Sequence, residues 1–301
     1  MRIPALILAA CAASTLNWTA PAHAAPVAAS EERLAHISIL KRGSGPAVVF
    51  IPGLGSPRAS WDSVTAGLAK NHTLYLVQVN GFSGDAPGAN LGDNILDGIV
   101  ADLSAYLASQ KAGPVRLIGH SMGGLASLKF ARAHPAQVER MMIVDALPYF
   151  PVLLARGGPV PSPAQVEPIA KTMRDTVAAR YGKPADPATI KADVDGLAVN
   201  PASKVKMAQW AAQADPRVTA ELLYEDMSTD LRPALPALTV PITVVVPWTA
   251  TPFGQERTLA FYHTQYAGAP NVRFAPIAEA GHFVMLDQPD RFRSELDAFL
   301  R

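Results

Sequence analysis

Through the first half of the chain, short apolar runs alternate with segments whose apolar residues recur every three or four positions. Ala47-Val48-Val49-Phe50-Ile51 is apolar without a break, and residues 34–40, 74–79, 115–118 and 141–144 share that character. Short runs that are apolar on both faces read as strands of a parallel sheet covered on both sides. Between them, residues 61–69, 95–110 and 122–134 carry the helical period. After Asp145 the strand pattern is interrupted, to resume at 242–246 and again at 272–277. The intervening stretch is rich in proline, with Pro159, Pro161 and Pro163 nearly in succession. It keeps a helical period at 166–181, 188–197, 203–214 and 217–227. A closing helix is predicted over 288–300, with Asp287 as its N-cap and Asp290 in its first turn. The pattern as a whole predicts an α/β chain, with a mostly parallel central sheet covered by helices on both faces. Residues 25–147 and 237–301 form the core of that reading, and 148–236 form a helical insertion.

The first 24 residues stand outside this pattern. Met1-Arg2 gives a positive start, residues 3–13 are mostly apolar, and Ala22-His23-Ala24 has the small-x-small form of a signal peptidase site. The apolar run is shorter than the roughly 20 residues a spanning helix needs. The expectation is therefore an exported protein, periplasmic or secreted, that begins near Ala25. Leu8-Ala9-Ala10-Cys11 also resembles a lipoprotein box, but the segment ahead of it is short for that route. Cys11 is the one cysteine, so removal of the leader leaves neither disulfides nor thiol chemistry. The 26 Lys and Arg against 25 Asp and Glu give a formal charge of +1, which becomes neutral once Arg2 is lost. With no basic patch or charge run, nucleic acid and anionic membrane surfaces are disfavoured as partners.

Chemistry concentrates at Gly119-His120-Ser121-Met122-Gly123, a G-x-S-x-G between the strand at 115–118 and the helix at 122–134. Small neighbours allow a sharp strand-to-helix turn that lifts a serine hydroxyl clear of the sheet. The helix that follows contributes its positive N-terminal end. A serine hydroxyl needs a base to take its proton. Among the histidines beyond the leader, His282 has the most suggestive place, in Ala280-Gly281-His282-Phe283 between the last strand and the last helix. His120 sits in the turn and is expected to point away from the serine. His134 is expected at a helix end, while His36, His72 and His263 read as structural. Pro52-Gly53-Leu54-Gly55-Ser56 follows the strand at 47–51, and its glycines permit a close backbone approach.

These motifs together resemble the α/β-hydrolase superfamily, in the branch of esterases, lipases and related serine hydrolases that carry a helical lid. The resemblance covers roughly residues 34–150 and 238–300. It implies Ser121 as nucleophile, His282 as general base, and an acid between them in the chain. It also implies an oxyanion hole from the backbone N–H groups of Leu54 and Met122, with Pro52 standing where histidine is usual. Many members place the acid after the strand corresponding to 242–246, but Pro247-Trp248-Thr249-Ala250-Thr251-Pro252-Phe253 contains no carboxylate. Asp145, at the end of the preceding strand, is the preferred acid over Glu256, which falls in an expected helix at 255–266. The implied reaction is ester hydrolysis through an acyl-enzyme on a small-molecule acyl substrate. Amide or C–C cleavage and acyl transfer use the same triad, and a non-catalytic binding protein is the alternative of another class. No cofactor and no metal are expected. Gly53-Leu54-Gly55 lacks the third glycine of a dinucleotide loop, and neither a P-loop nor H-E-x-x-H occurs. Leu147, Tyr149, Phe150, Trp248 and Phe253 either line an acyl pocket or pack in the core.

Overall fold

The computed structural model describes residues 29–301 apart from 156 and 157. The leader read from the sequence, Cys11 included, lies outside the described residues. Eight strands form one sheet: β1 Ala29–Arg33, β2 Ile37–Arg42, β3 Ala47–Ile51, β4 Thr73–Val79, β5 Val115–His120, β6 Val138–Val144, β7 Ile242–Trp248 and β8 Val272–Ala278. Their order across the sheet is β1-β2-β4-β3-β5-β6-β7-β8. β2 runs antiparallel to both β1 and β4, and every other pairing is parallel.

The alternation of strand side chains divides the core into two. Val49, Ile51, Leu117, Met141 and Ile143 enter one apolar cluster. Their neighbours Val48, Phe50, Ile118, Met142 and Val144 enter the other, on the opposite face. A central strand must therefore be apolar at every position, which is why these strands are legible as unbroken apolar runs. β1 is the exception. All five of its residues are exposed, so no apolar pattern announces it, and its Glu31, Glu32 and Arg33 blunt an open sheet edge.

The helices are α1 Asp62–Thr65, α2 Ile95–Ser109, α3 Met122–Ala133, α4 Pro163–Ala178, α5 Pro187–Val194, α6 Pro201–Gln213, α7 Pro216–Ser228, α8 Gly254–Gln265, α9 Val284–Asp287 and α10 Pro289–Phe299. α1 is much shorter than the 61–69 expected. Gly67 at φ 79° turns the backbone out of the helix, and the segment continues as 3-10 turns. The proline richness of the insertion has a local cause. Pro163, Pro187, Pro201 and Pro216 each occupy the first position of a helix, directly after Ser162, Asp186, Asn200 and Asp215. A proline ring is pre-set for that position, where its missing N–H has no partner to lose. Asp186, Asn200 and Asp215 accept backbone N–H groups of the first turn, and Ser162 forms a reciprocal capping box with Gln165.

Two carboxylates fasten the insertion to the core. Glu225 on α7 accepts the N–H groups of Ile95 (2.6 Å) and Leu96 (2.7 Å). It thereby serves the start of α2, where Asn94 provides no side-chain cap. Asp287 corrects the sequence expectation. Gln288, without a capping side-chain bond, holds the N-cap position of α10. Asp287 instead accepts the N–H groups of Val199 (2.8 Å), Asn200 (3.0 Å) and Gly281 (2.9 Å). Among the described residues no helix is long and apolar enough to cross a membrane.

Candidate active site

β5 ends at His120, and Ser121 turns the chain into α3 with φ 54° and ψ −126°. Such a backbone is costly for a side-chain-bearing residue and persists only where its surroundings enforce it. The Ser121 N–H donates to Val144 O at 3.0 Å, pinning the turn to the end of β6. A Cβ at Gly119 would fall inside contact distance of Gly123 O and Ser127 Oγ, and one at Gly123 would strike Ile51 O. The turn closes because both positions are glycine. A Cβ at Gly53 would lie 3.2 Å from Ser121 Cβ and 2.8 Å from His120 Nδ1, so the loop after β3 is laid directly against the serine. Neither Leu54 N–H nor Met122 N–H donates to an internal acceptor among the described residues.

Asp145 follows β6 at φ 44°. Its Oδ2 lies 2.6 Å from His282 Nδ1. A carboxylate accepts only from a protonated nitrogen, so this contact assigns the ring proton to Nδ1 and leaves the Nε2 lone pair free. The other carboxylate oxygen accepts the hydroxyl of Tyr262, a buried residue on α8. Burial, reinforced by the Asp145 charge, pushes the Tyr262 hydroxyl well above its ordinary range, so it remains a donor. Glu256 lies exposed near the start of α8 and makes no hydrogen bond or ion pair with His282 among the described residues.

His120 does more than the sequence suggested. It is fully buried, and its Nε2 lies 2.9 Å from the His282 carbonyl oxygen. Its ring packs at a tilt against those of His282, at a centroid distance of 4.5 Å, and Phe283, at 4.7 Å. Burial first, then the proximity of His282, holds its imidazole well below the usual histidine range. The neutral ring thus donates from Nε2 and supports the backbone that carries His282.

Ser121, Asp145 and His282 all line one cavity of about 1270 Å³. Leu147, Phe150, Trp248 and Phe253 line it as well, whereas Tyr149 is wholly buried and donates its hydroxyl to Pro161 O. The insertion supplies Gly196–Val199 and Asp226 to the same wall. Burial pushes the Asp226 carboxyl up to about 7, with His282 drawing it slightly the other way. Tyr262, His120 and Asp226 were not singled out from the sequence as part of a site. Tyr262 and His120 join it through contacts between distant segments, and Asp226 by lining the cavity. Among the described residues, no group of three His, Cys, Asp or Glu side chains is placed to hold a metal ion.

Residues 48–295 match the family model described as the alpha/beta hydrolase family. Among curated proteins, polyketide synthase ThaQ of Burkholderia thailandensis is 30% identical over 272 residues, covering 88% of this chain and 12% of the synthase. The pimeloyl-[acyl-carrier protein] methyl ester esterase of Aeromonas hydrophila is 30% identical over 114 residues, 38% of this chain and 43% of the esterase. The chain thus spans less than half the length of either relative. Among solved structures, a thermophilic esterase from Thermogutta terrifontis superposes with a TM-score of 0.71 at 22% identity. That match covers 90% of this chain and 98% of the esterase. At that identity the likeness is one of fold.

Proposed function

The chain belongs to the alpha/beta hydrolase family, and from that premise we propose that it is a serine hydrolase cleaving a carboxylic ester through an acyl-enzyme on Ser121. The observation that carries this reading is the His282 Nδ1–Asp145 contact of 2.6 Å in the cavity that Ser121 also lines. In the proposed reaction Ser121 Oγ attacks the ester carbonyl carbon while His282 Nε2 takes the hydroxyl proton. Asp145 fixes the ring and balances the imidazolium, and Tyr262 holds Asp145. The free N–H groups of Leu54 and Met122 stabilise the oxyanion. Collapse of the tetrahedral adduct breaks the C–O bond, and His282 protonates the departing alcohol. Water then attacks the acyl carbon and gives a proton to His282; the bond from that carbon to Ser121 Oγ breaks, His282 returns the proton to Oγ, and the acid departs. A mostly apolar cavity of this size suits an acyl or aryl group, in keeping with the esterases among the similar proteins.

The test is hydrolysis of p-nitrophenyl esters from acetate to palmitate by the protein and by Ser121→Ala. The expected result is loss of at least about 10³-fold in kcat with the fold intact by circular dichroism, and fluorophosphonate labelling of Ser121 in the unsubstituted protein. Retained turnover in the purified variant overturns the assignment. Asp145→Asn is expected to lower kcat far more than Glu256→Gln; the reverse order transfers the acid to Glu256.

A further inference from the structure

Asp226 is a carboxylate on the α7 wall of the cavity with no assigned task. It is half-buried and lines the cavity. Among the described residues it forms no hydrogen bond or ion pair, and His282 is the charged group near enough to act on it. Its acidic neighbours are committed elsewhere. Glu225 holds the start of α2, and Glu221 lies 3.7 Å from Arg174. The elements packed against α7 offer it no cation either. On α4, Lys171 pairs with Glu167, and Arg174 with Asp175 and Glu221. On α2, Asp97 pairs with Lys129 and Asp102 with His36. The 3-10 segments 88–91 and 150–155 carry no charged side chain. Within the cavity, Asp145 is satisfied by His282 and Tyr262, and Arg257 is exposed, with its guanidinium over Phe253. An unpaired carboxylate in a largely apolar enclosure is costly and is stabilised by whatever cation enters. Trp248 and Phe261 line the same space, and aromatic faces attract organic ammonium groups.

We propose that Asp226 is a cation subsite that binds the ammonium group of an amine-bearing ester while Ser121 attacks its carbonyl. The choice of substrate rests on the serine-hydrolase reading, but occupancy of the subsite does not. An ammonium ion beside Asp226 keeps it ionised, so binding couples to loss of the Asp226 proton near neutral pH.

The probe is benzyltrimethylammonium, titrated calorimetrically into Ser121→Ala and into the same variant carrying His282→Gln, so that the imidazole does not contribute to the pH dependence. Affinity should rise about tenfold between pH 6 and pH 8 in both, following the ionised fraction of a carboxyl that titrates near 7. Adding Asp226→Asn should weaken binding at pH 8 by at least about tenfold and flatten the pH dependence. Equal affinity with and without Asp226→Asn, or no rise with pH, overturns the proposal; the pH arm decides it even if the Asp226 variant fails to fold. In the active protein, kcat/KM for a choline-type ester relative to its tert-butyl analogue should fall in Asp226→Asn. If the cation binds through Asp226 but no ester is turned over, the subsite stands and the ester reading fails. Turnover of neutral esters without Asp226-dependent cation binding removes the subsite and leaves the ester reading in place.

Discussion

At the residue scale, His282, the base of the proposed reaction, is held from two sides. Asp145 contacts the ring at Nδ1, and the His120 ring packs against it at a tilt of 46° with its Nε2 on the His282 carbonyl oxygen. Tyr262 acts one step further back by donating to Asp145. Removing one hydrogen bond to a charged group typically costs about 1.5–3 kcal/mol. Tyr262→Phe should therefore lower kcat for ester hydrolysis by roughly 10-fold or more, with a smaller change in KM. A rise in KM at constant kcat would make Tyr262 a wall of the cavity rather than a positioning residue. Ser121, Asp145 and His282, which line one cavity, could be singled out in the sequence as candidates because each follows a recognisable strand, in or beside a short local pattern. Tyr262 and His120 were not, because nothing near them in the chain signals their partners. Tyr262 lies 117 positions from Asp145, and the His120 contact spans 162 positions. Only the assembled sheet brings them together.

At the scale of elements, the parallel strands were readable since burial on both faces demands an unbroken apolar run. β1 was invisible for the converse reason, an edge strand with no face to bury. In the insertion the helices were recognised by period, while the prolines were noted only as composition, and four of them prove to be helix starts. Glu225 shows how an element can be completed from afar, since α2 receives its terminal acceptor from α7. Glu225→Ala leaves those two N–H groups without their acceptor and should cost about 1–3 kcal/mol, read as a lowered urea midpoint. Faster amide hydrogen exchange at Ile95 and Leu96 should accompany it. Unchanged protection there would mean that water or Asn94 takes over the role.

For the whole molecule, half-buried Asp226 and buried His120 set opposing pH dependences. Asp226 keeps its proton in the folded state up to about pH 7, whereas an unfolded aspartate releases it near 3.8. Over that window the folded state binds the extra proton, so this group makes stability fall as pH rises. His120 has the opposite sign. The folded ring refuses a proton that the unfolded ring takes up below about 6.5, so its contribution is lost as pH falls. Asp226→Asn should therefore match the parent near pH 4 and exceed it by on the order of 2–4 kcal/mol at pH 8 in urea unfolding. A constant difference across that range would show that Asp226 ionises normally. The α/β architecture could be read from the chain. Of the cavity, Leu147, Phe150, Trp248 and Phe253 were open to either a lining or a packing reading, and the rest of its wall, assembled from the 148–236 segment and α8, carried no signal.

The Asp287 clamp carries a mechanical implication for how that cavity is reached. One carboxylate grips the backbone at Val199 and Asn200 and, with the same oxygen that holds Val199, the N–H of Gly281 beside His282. Phe283 N–H adds a bond to Leu197 O at 3.2 Å. Swinging this corner of the insertion outward would break the bonds that hold the backbone on either side of His282, so any opening here would be coupled to the placement of that ring. Leu153 and Phe253, 50% and 59% exposed, line the same cavity and make none of these bonds. A widening of the cavity that spares the clamp would have to come from side chains such as these.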